Sequence, residues 1–254
     1  MSTTMTPPRL RLDRVTKTFG GVHALTDLSL DVAAGQIVGL IGPNGAGKTT
    51  TFNVITGAYR ASSGTVLLDG HAVTSEPPHR IARGGIMRTF QNIRLFPDMT
   101  VWEHLLVAQP HTGPLIRRLL PMRFSDPKTV QRAEEVLEFF SLGEVRNRLA
   151  RSLPYGLQRK VEMARAVTAR PRLLLLDEPV AGMNHDEAET IRTLMLRLRQ
   201  DGLSILLIEH DMAFVMNLCD HLYVLDFGVL IAQGEPDEIR VNPAVLDAYL
   251  GRAA

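Results

Sequence analysis

A single cysteine, Cys219, excludes any disulfide within the 254-residue chain, and such sparing use is typical of a reducing compartment. Cys219 closes the apolar segment Ala213-Phe-Val-Met-Asn-Leu-Cys219 and reads as a buried structural thiol, not a reactive one. Long apolar runs are also missing. Stretches such as 173–176 and 205–208 fall far short of the roughly 20 residues a membrane-crossing helix needs. The first residues lack the basic-then-apolar pattern of a secretory leader. A cytoplasmic location is expected, so any work at a membrane must pass through a partner. Excess charge of one sign is absent: 28 Lys and Arg against 27 Asp and Glu leave a net charge of +1. That balance gives no drive toward nucleic acid or anionic lipid, and no nucleic-acid partner is expected. No internal repeat is visible, which argues for one unit and against a tandem pair.

What remains is ordinary globular composition, 45% apolar and 22% charged, with only the Thr/Pro-rich residues 1–8 suggesting disorder. The hydrophobic period switches between strand and helix, the mark of an α/β domain. Residues 10–19 and 24–32 alternate as an antiparallel strand pair. Residues 36–41 form a short apolar run ending at a glycine, a buried strand, with a helix following from about Gly47 to Thr56. Another strand, 65–68, ends at the Asp69-Gly70 turn. Helical signal dominates from 100 to 170: Thr100-Val-Trp-Glu103 is a capping box, and 128–140 and 156–169 are amphipathic. Strands return at 173–176, 203–208, 221–225 and 229–232, with a helix over 186–199. The fold expected is a mostly parallel core sheet with an antiparallel β edge, interrupted by a helical insert. As one domain over 1–254, it has a nucleotide-binding core of about 10–99 and 171–254, and a helical subdomain over 100–170.

Gly42-Pro-Asn-Gly-Ala-Gly-Lys48-Thr49 fits G-x-x-x-x-G-K-[ST] at every required position, between a buried strand and a helix. A chance glycine-rich turn would lack that setting. Glycine lets backbone N–H groups approach phosphate oxygens, and the helix N-terminus adds unpaired N–H groups and a positive dipole end. The nucleotide site therefore comprises Gly42, Pro43, Asn44, Gly45, Ala46, Gly47, Lys48, Thr49 and Thr50, with Lys48 at the β- and γ-phosphates and Thr49 on Mg²⁺. Downstream, Leu173-Leu-Leu-Leu-Asp177-Glu178-Pro179 is an apolar strand delivering two acids to its C-terminal edge, where ligands gather in such sheets. Asp177 is expected to hold Mg²⁺ and Glu178 to act as general base toward water. Two adjacent acids alone would read as a polar strand end; the phosphate loop upstream decides for chemistry.

With these residues in place, the chain resembles ATP-binding subunits of ABC transporters over essentially its whole length. The resemblance implies further roles. Gln91, in Thr89-Phe-Gln-Asn92, is similar to the family's glutamine loop, which contacts Mg²⁺ and couples to the transmembrane subunit. His210, in Ile208-Glu-His-Asp211, follows a strand as the switch histidine does, implying a contact to the γ-phosphate. Ala181-Gly-Met-Asn184 occupies the D-loop position that bridges two cassettes. Phe19 matches the aromatic that stacks on adenine. The signature segment departs from the usual Leu-Ser-Gly-Gly-Gln: here it is Leu153, Pro154, Tyr155, Gly156 and Leu157, followed by Gln158. Pro154 replaces a serine whose hydroxyl reaches the γ-phosphate held by the opposing cassette, while Gly156 still heads a helix that offers N–H groups.

The segment 89–96, the Tyr155-Gly156 signature, Leu207-Ile-Glu-His-Asp-Met212 and the ending Ala248-Tyr-Leu-Gly251 are similar to branched-chain amino-acid importers, and the chain looks like their longer ATPase subunit. The resemblance implies ATP and Mg²⁺ as cofactors. It also implies a second cassette (a different chain, or a copy of this one), two transmembrane permease subunits and, indirectly, a periplasmic or extracellular binding protein. The cassette is expected at the inner face of the membrane, its additional residues 109–127 being either a docking segment for the membrane partner or, the reading slightly favoured, a surface excursion. Alternative readings are a cassette for lipid or lipopolysaccharide export, or a soluble mechanochemical ATPase; the latter usually has two cassettes or a long coiled coil, and this sequence has neither.

Overall fold

The computed structural model describes residues 7–109 and 126–250, Leu250 by its backbone alone. Most of the 109–127 excursion, the first six residues and the end of the Ala248–Gly251 motif lie outside that range. Two sheets form the frame. One has the order β2 (Val22–Val32), β1 (Leu10–Phe19), β4 (Ser63–Leu68), β5 (His71–Ala72), antiparallel throughout. The other has the order β10 (Val229–Gly234), β9 (His221–Asp226), β3 (Ile37–Ile41), β8 (Ser204–Ile208), β7 (Leu173–Asp177), β6 (Ile86–Arg88). It is parallel except for β10, which pairs antiparallel with β9. This is the P-loop ATPase fold read from the sequence.

The unbroken apolar runs exist because the parallel sheet is covered on both faces. In β3, β7 and β8 every residue is buried. Alternate residues serve two different cores, as the two-residue strand period requires. Ile37, Ile41, Leu174, Leu176, Ile205 and Leu207 join one cluster. Into it pack α3 (Val101–Val107), α4 (Pro127–Phe139), α5 (Tyr155–Thr168), α6 (His185–Gln200) and α7 (Met212–Met216). Val38, Leu40, Leu173, Leu175, Leu206 and Ile208 join the other, with β1, β2 and α1 (Lys48–Ile55). Cys219 lies in the first cluster, 7% exposed, and burial pushes its thiol far above the usual range; the expectation of an inert structural cysteine holds.

The predicted capping box is present. The Thr100 hydroxyl accepts from the Glu103 N–H while the Glu103 carboxylate accepts from the Thr100 N–H, an arrangement that contributes about 1 kcal/mol to helix stability. A second such box, Asn184 with Glu187, opens α6. The short elements escaped sequence reading: α2 (Pro78–Arg83), β6, α7 and α8 (Pro236–Arg240) have no more than six residues each. Such lengths show less than two helical periods and offer no periodicity to detect. The last helix, α9 (Pro243–Leu250), was also missed.

One buried polar side chain gives the fold a pH dependence. His104, fully buried on α3, faces the Thr100 carbonyl through Nδ1 (2.8 Å) and accepts the Phe96 N–H at Nε2 (2.9 Å). Burial lowers its pKa, helped by Arg165 and partly opposed by the Thr100 carbonyl and Glu103. The unfolded chain therefore takes up the proton first, near pH 6.5. The contribution to stability is complete above that pH and is lost as pH falls toward the folded-state value. Chemical denaturation at pH 7.5 and 5.5 is expected to show wild type losing more stability on acidification than His104→Gln. Equal losses would assign the acid sensitivity to other groups.

Candidate active site

Four parallel strands end at the same edge of the sheet, and each hands over to a segment singled out in the sequence. β3 runs into the phosphate loop, β6 into Gln91, β7 into Asp177 and Glu178, and β8 into Glu209 and His210. The register aligns them: Leu40 and Asp177 both pair with Ile208. Parallel strands put all C-terminal ends on one edge, so residues far apart in sequence meet there.

The phosphate loop needs glycine for steric reasons at two positions. Gly42 has φ 146° and Gly47 has φ 101°, conformations open to glycine at little cost. A Cβ on Gly42 would collide with the Leu225 carbonyl, and one on Gly47 would stand 2.7 Å from the Ala24 oxygen. The loop turns directly into α1, whose first residue is Lys48. Its ammonium donates to the carbonyl oxygens of Gly42 (2.6 Å) and Pro43 (2.9 Å). Burial lowers the Lys48 pKa, and the charges of Glu178 and Asp177 push it back up, which marks both acids as its electrostatic neighbours. Thr49 is exposed on the first turn of α1.

Glu178 is the point where the predicted residues converge. Its N–H donates to the Ile208 oxygen (2.9 Å), pinning the turn beyond β7 to β8. Its backbone takes φ 48°, a left-handed conformation few L residues adopt. The Gln91 amide donates to Glu178 Oε2 at 2.8 Å. His210 Nδ1 lies 3.7 Å from Glu178 Oε1, beyond hydrogen-bond distance, on a side chain 61% exposed. Phe19 stands at the end of β1, 42% exposed, with Tyr59 edge-on at 5.2 Å.

The signature segment packs elsewhere. Pro154 is the N-cap residue of α5 with no side-chain cap bond. The Glu187 carboxylate lies against Gly156, where a Cβ would stand 2.6 Å from its oxygen and displace that side chain. Glu187 is itself the capping-box partner of Asn184, the last residue of the D-loop segment.

Four charged residues in this region carry no signal that singles them out in the sequence. Arg88 donates to Asp177 Oδ2 (2.7 Å) and to Asn53 Oδ1 (2.7 Å), tying β6, β7 and α1 together; both members of the ion pair are nearly buried. Glu209, 1% exposed, accepts the N–H groups of Val180 (3.1 Å) and His210 (3.0 Å). Burial raises its pKa against those bonds. Arg159 and Glu162 form a wholly buried ion pair on α5 at 2.9 Å, at a desolvation cost of several kcal/mol per ion before the pairing is counted. The one signal available was the position of Tyr155, Arg159 and Glu162 on a single helical stripe, which on its own resembles a solvated face.

The residues fit a nucleotide with a divalent cation. The loop carries glycine at 42, 45 and 47, all at positive φ, so no side chain at these positions stands between the backbone and an approaching phosphate, and Lys48 has Asp177 and Glu178 as its charged neighbours. Among the described residues no group of three or more His, Cys, Asp or Glu could hold a metal. Mg²⁺ is usually bound through one or two protein oxygens together with phosphates and water, donors that Thr49 and Asp177 would supply.

A phosphate loop on a parallel sheet, with a carboxylate pair at the end of β7, one strand removed from β3 on the same edge, defines a nucleotide-hydrolysing P-loop ATPase. The chain belongs to the ABC transporter family, whose model matches residues 25–181, and it is an ATP-binding, ATP-hydrolysing cassette. A second model, branched-chain amino acid ATP-binding cassette transporter, matches residues 229–254. The high-affinity branched-chain amino acid transport ATP-binding protein BraF of Pseudomonas aeruginosa is 45% identical, with 98% of this chain and all of that protein covered. LivG of Escherichia coli, described in the same words, is 44% identical over the same shares. Among solved structures, an ATP-binding cassette of an ABC transporter in its ADP conformation superposes with a TM-score of 0.87. It is 35% identical and covers 97% of this chain and 100% of its own. A nucleotide-free cassette gives a TM-score of 0.86 at 34% identity, covering 96% of this chain and 100% of its own. No helix among the described residues is long and apolar enough to cross a membrane.

Proposed function

We propose that this cassette hydrolyses MgATP at the inner face of a membrane to drive uptake of branched-chain or other hydrophobic amino acids. It works with a second cassette, two permease subunits and an external binding protein. Similarity of 45% over 98% of the chain to the BraF transport protein carries the substrate assignment, joined by the C-terminal family match. Convergence of Gln91 on Glu178 beside the phosphate loop supports the site assignment.

In this reading residues 10–99 and 171–254 form the nucleotide-binding core, and 100–170 the helical subdomain that carries the signature. Phe19 takes the adenine on its exposed ring, with Tyr59 bracing it from the edge. Residues Gly42 to Thr50 cradle the phosphates, and Lys48 exchanges its loop carbonyls for phosphate oxygens. Thr49, Asp177 and Gln91 would hold Mg²⁺, which when bound would supply neutralisation of the phosphate charge. Glu178 takes the proton of the attacking water. His210 contacts the γ-phosphate, and the buried Glu209 fixes the backbone on which it sits. Leu153, Pro154, Tyr155, Gly156 and Leu157 serve the nucleotide of the opposing cassette, with helix N–H groups replacing the missing serine hydroxyl. Closure of two cassettes on ATP and reopening after hydrolysis is then a two-state switch read by the permeases.

The test is to co-purify the full chain with its membrane partners and reconstitute the complex in vesicles with ATP on the cassette side. ATP-dependent accumulation of labelled leucine, isoleucine or valine is expected. A complex that hydrolyses ATP but moves none of them, with or without a binding protein, would remove the substrate assignment and leave the ATPase standing.

A further inference from the structure

We propose that Arg159 and Glu162 are positioning residues for Gln91: together they fasten the glutamine loop to the signature helix, so that the Gln91 amide meets Glu178 only while that helix is in place. This rests on the reading of Gln91 given above. Both side chains are fully buried, and the bonds they make are directed at one loop. Arg159 Nη1 donates to the Phe90 oxygen and Nη2 to the Gln91 oxygen, each at 2.8 Å. Nη1 also meets Glu162 Oε2, and the other carboxylate oxygen accepts the Arg94 N–H at 3.1 Å. Arg165, one turn further along α5, donates to the Arg94 oxygen at 2.6 Å.

Two consecutive carbonyls held by one planar guanidinium fix the peptide orientation around Gln91, and with it the direction in which its side chain leaves the backbone. The 2.8 Å contact to Glu178 depends on that direction. A buried ion pair is a poor device for stability alone, because apolar residues of similar size fill such a site equally well or better. The pair also reaches the signature itself: Arg159 Nη2 donates to the Tyr155 hydroxyl at 3.1 Å. Tyr155 stands where the family usually has glycine, and its ring lies beside Gly182 of the D-loop segment. Within one molecule, then, the segment that serves the opposing site is joined through Arg159 to the glutamine that serves its own.

The test compares wild type with the double variant Arg159→Met/Glu162→Leu and with Gln91→Ala, all as full chains. For each, thermal unfolding, ATP affinity, ATPase kcat and KM, and amide exchange over residues 89–95 are measured. The double variant removes both charges, so its unfolding midpoint is expected to hold or rise. Amides of the loop should exchange faster while those of β3, β7 and β8 do not. Its kcat should fall about tenfold, the size of one hydrogen bond to a charged group, with KM and ATP affinity within a few-fold of wild type. A purely structural role predicts the opposite split, a lowered midpoint with affinity and kcat falling together. Wild-type kcat in the double variant beside an impaired Gln91→Ala would overturn the fastening role. Wild-type kcat in Gln91→Ala would overturn the reading of Gln91 itself. Should the double variant not fold, Arg159→Lys decides: it keeps the charge but has no planar fork for two carbonyls, so lowered kcat at unchanged affinity supports the proposal and wild-type kcat ends it.

Discussion

Glu178→Gln is expected to lower ATP turnover by about 10²- to 10⁴-fold, the usual contribution of a general base, while ATP binding persists. The amide keeps the length and an oxygen for the Gln91 N–H, so the 2.8 Å contact can survive, but it cannot accept a proton from water. Removing a negative charge beside the phosphate loop should leave affinity for anionic ATP equal or higher. Lys48 loses the strongest of the charges that offset its burial and gains the triphosphate in its place. Rapid-mixing hydrolysis together with equilibrium binding of labelled ATP measures both effects. Turnover within a few-fold of wild type would mean that another group accepts the proton.

Lys48→Ala is expected to weaken ATP binding by about 100-fold or more, from two or more lost hydrogen bonds to charged oxygens at about 1.5–3 kcal/mol each. The fold should persist, because the bonds the ammonium makes are to Gly42 and Pro43 of its own loop and none reaches the core. Arginine is not expected to rescue the loss: the phosphate loop uses lysine as a compact point charge, and a planar fork presents different geometry. Labelled-ATP binding and thermal unfolding of the same preparations separate the two effects. Unchanged affinity in Lys48→Ala would withdraw the whole phosphate-loop assignment.

Much of the site was legible in the sequence because phosphate chemistry constrains local residue types. Gly42 and Gly47 take positive-φ conformations that the local loop backbone demands and that glycine adopts at little cost, while the Leu225 and Ala24 oxygens that would also exclude a Cβ come from distant parts of the chain. The run 173–178 announces both a buried strand and the two acids at its end. The frame was legible for the same reason: β3, β7 and β8 are buried on both faces, and each stands out as an unbroken apolar run. β6, three residues long, carries no such pattern, although it delivers Gln91 to the site.

The partners of the functional groups were not legible. Nothing near Asp177 in the chain announces Arg88, 89 positions upstream. Glu209 has no local pattern that separates it from any acid beside a histidine, and only the fold shows its buried carboxylate accepting the N–H groups of Val180 and His210. Arg159 and Glu162, three residues apart, are indistinguishable in sequence from a solvated helical ion pair; only their complete burial separates the two cases.

The sequence by itself determined the phosphate loop, the paired acids, the parallel core and the capped helices, since each follows from the conformation of residues within about one turn or one strand of each other. Tertiary structure alone decided how these parts bear on one another: that Gln91 reaches Glu178, that the Glu187 carboxylate of α6 lies against Gly156, and that a buried arginine ties the signature helix to the glutamine loop. Those contacts join residues tens of positions apart. Their free energies depend on burial and angle, and neither exists until the sheet has brought the strand ends to one edge.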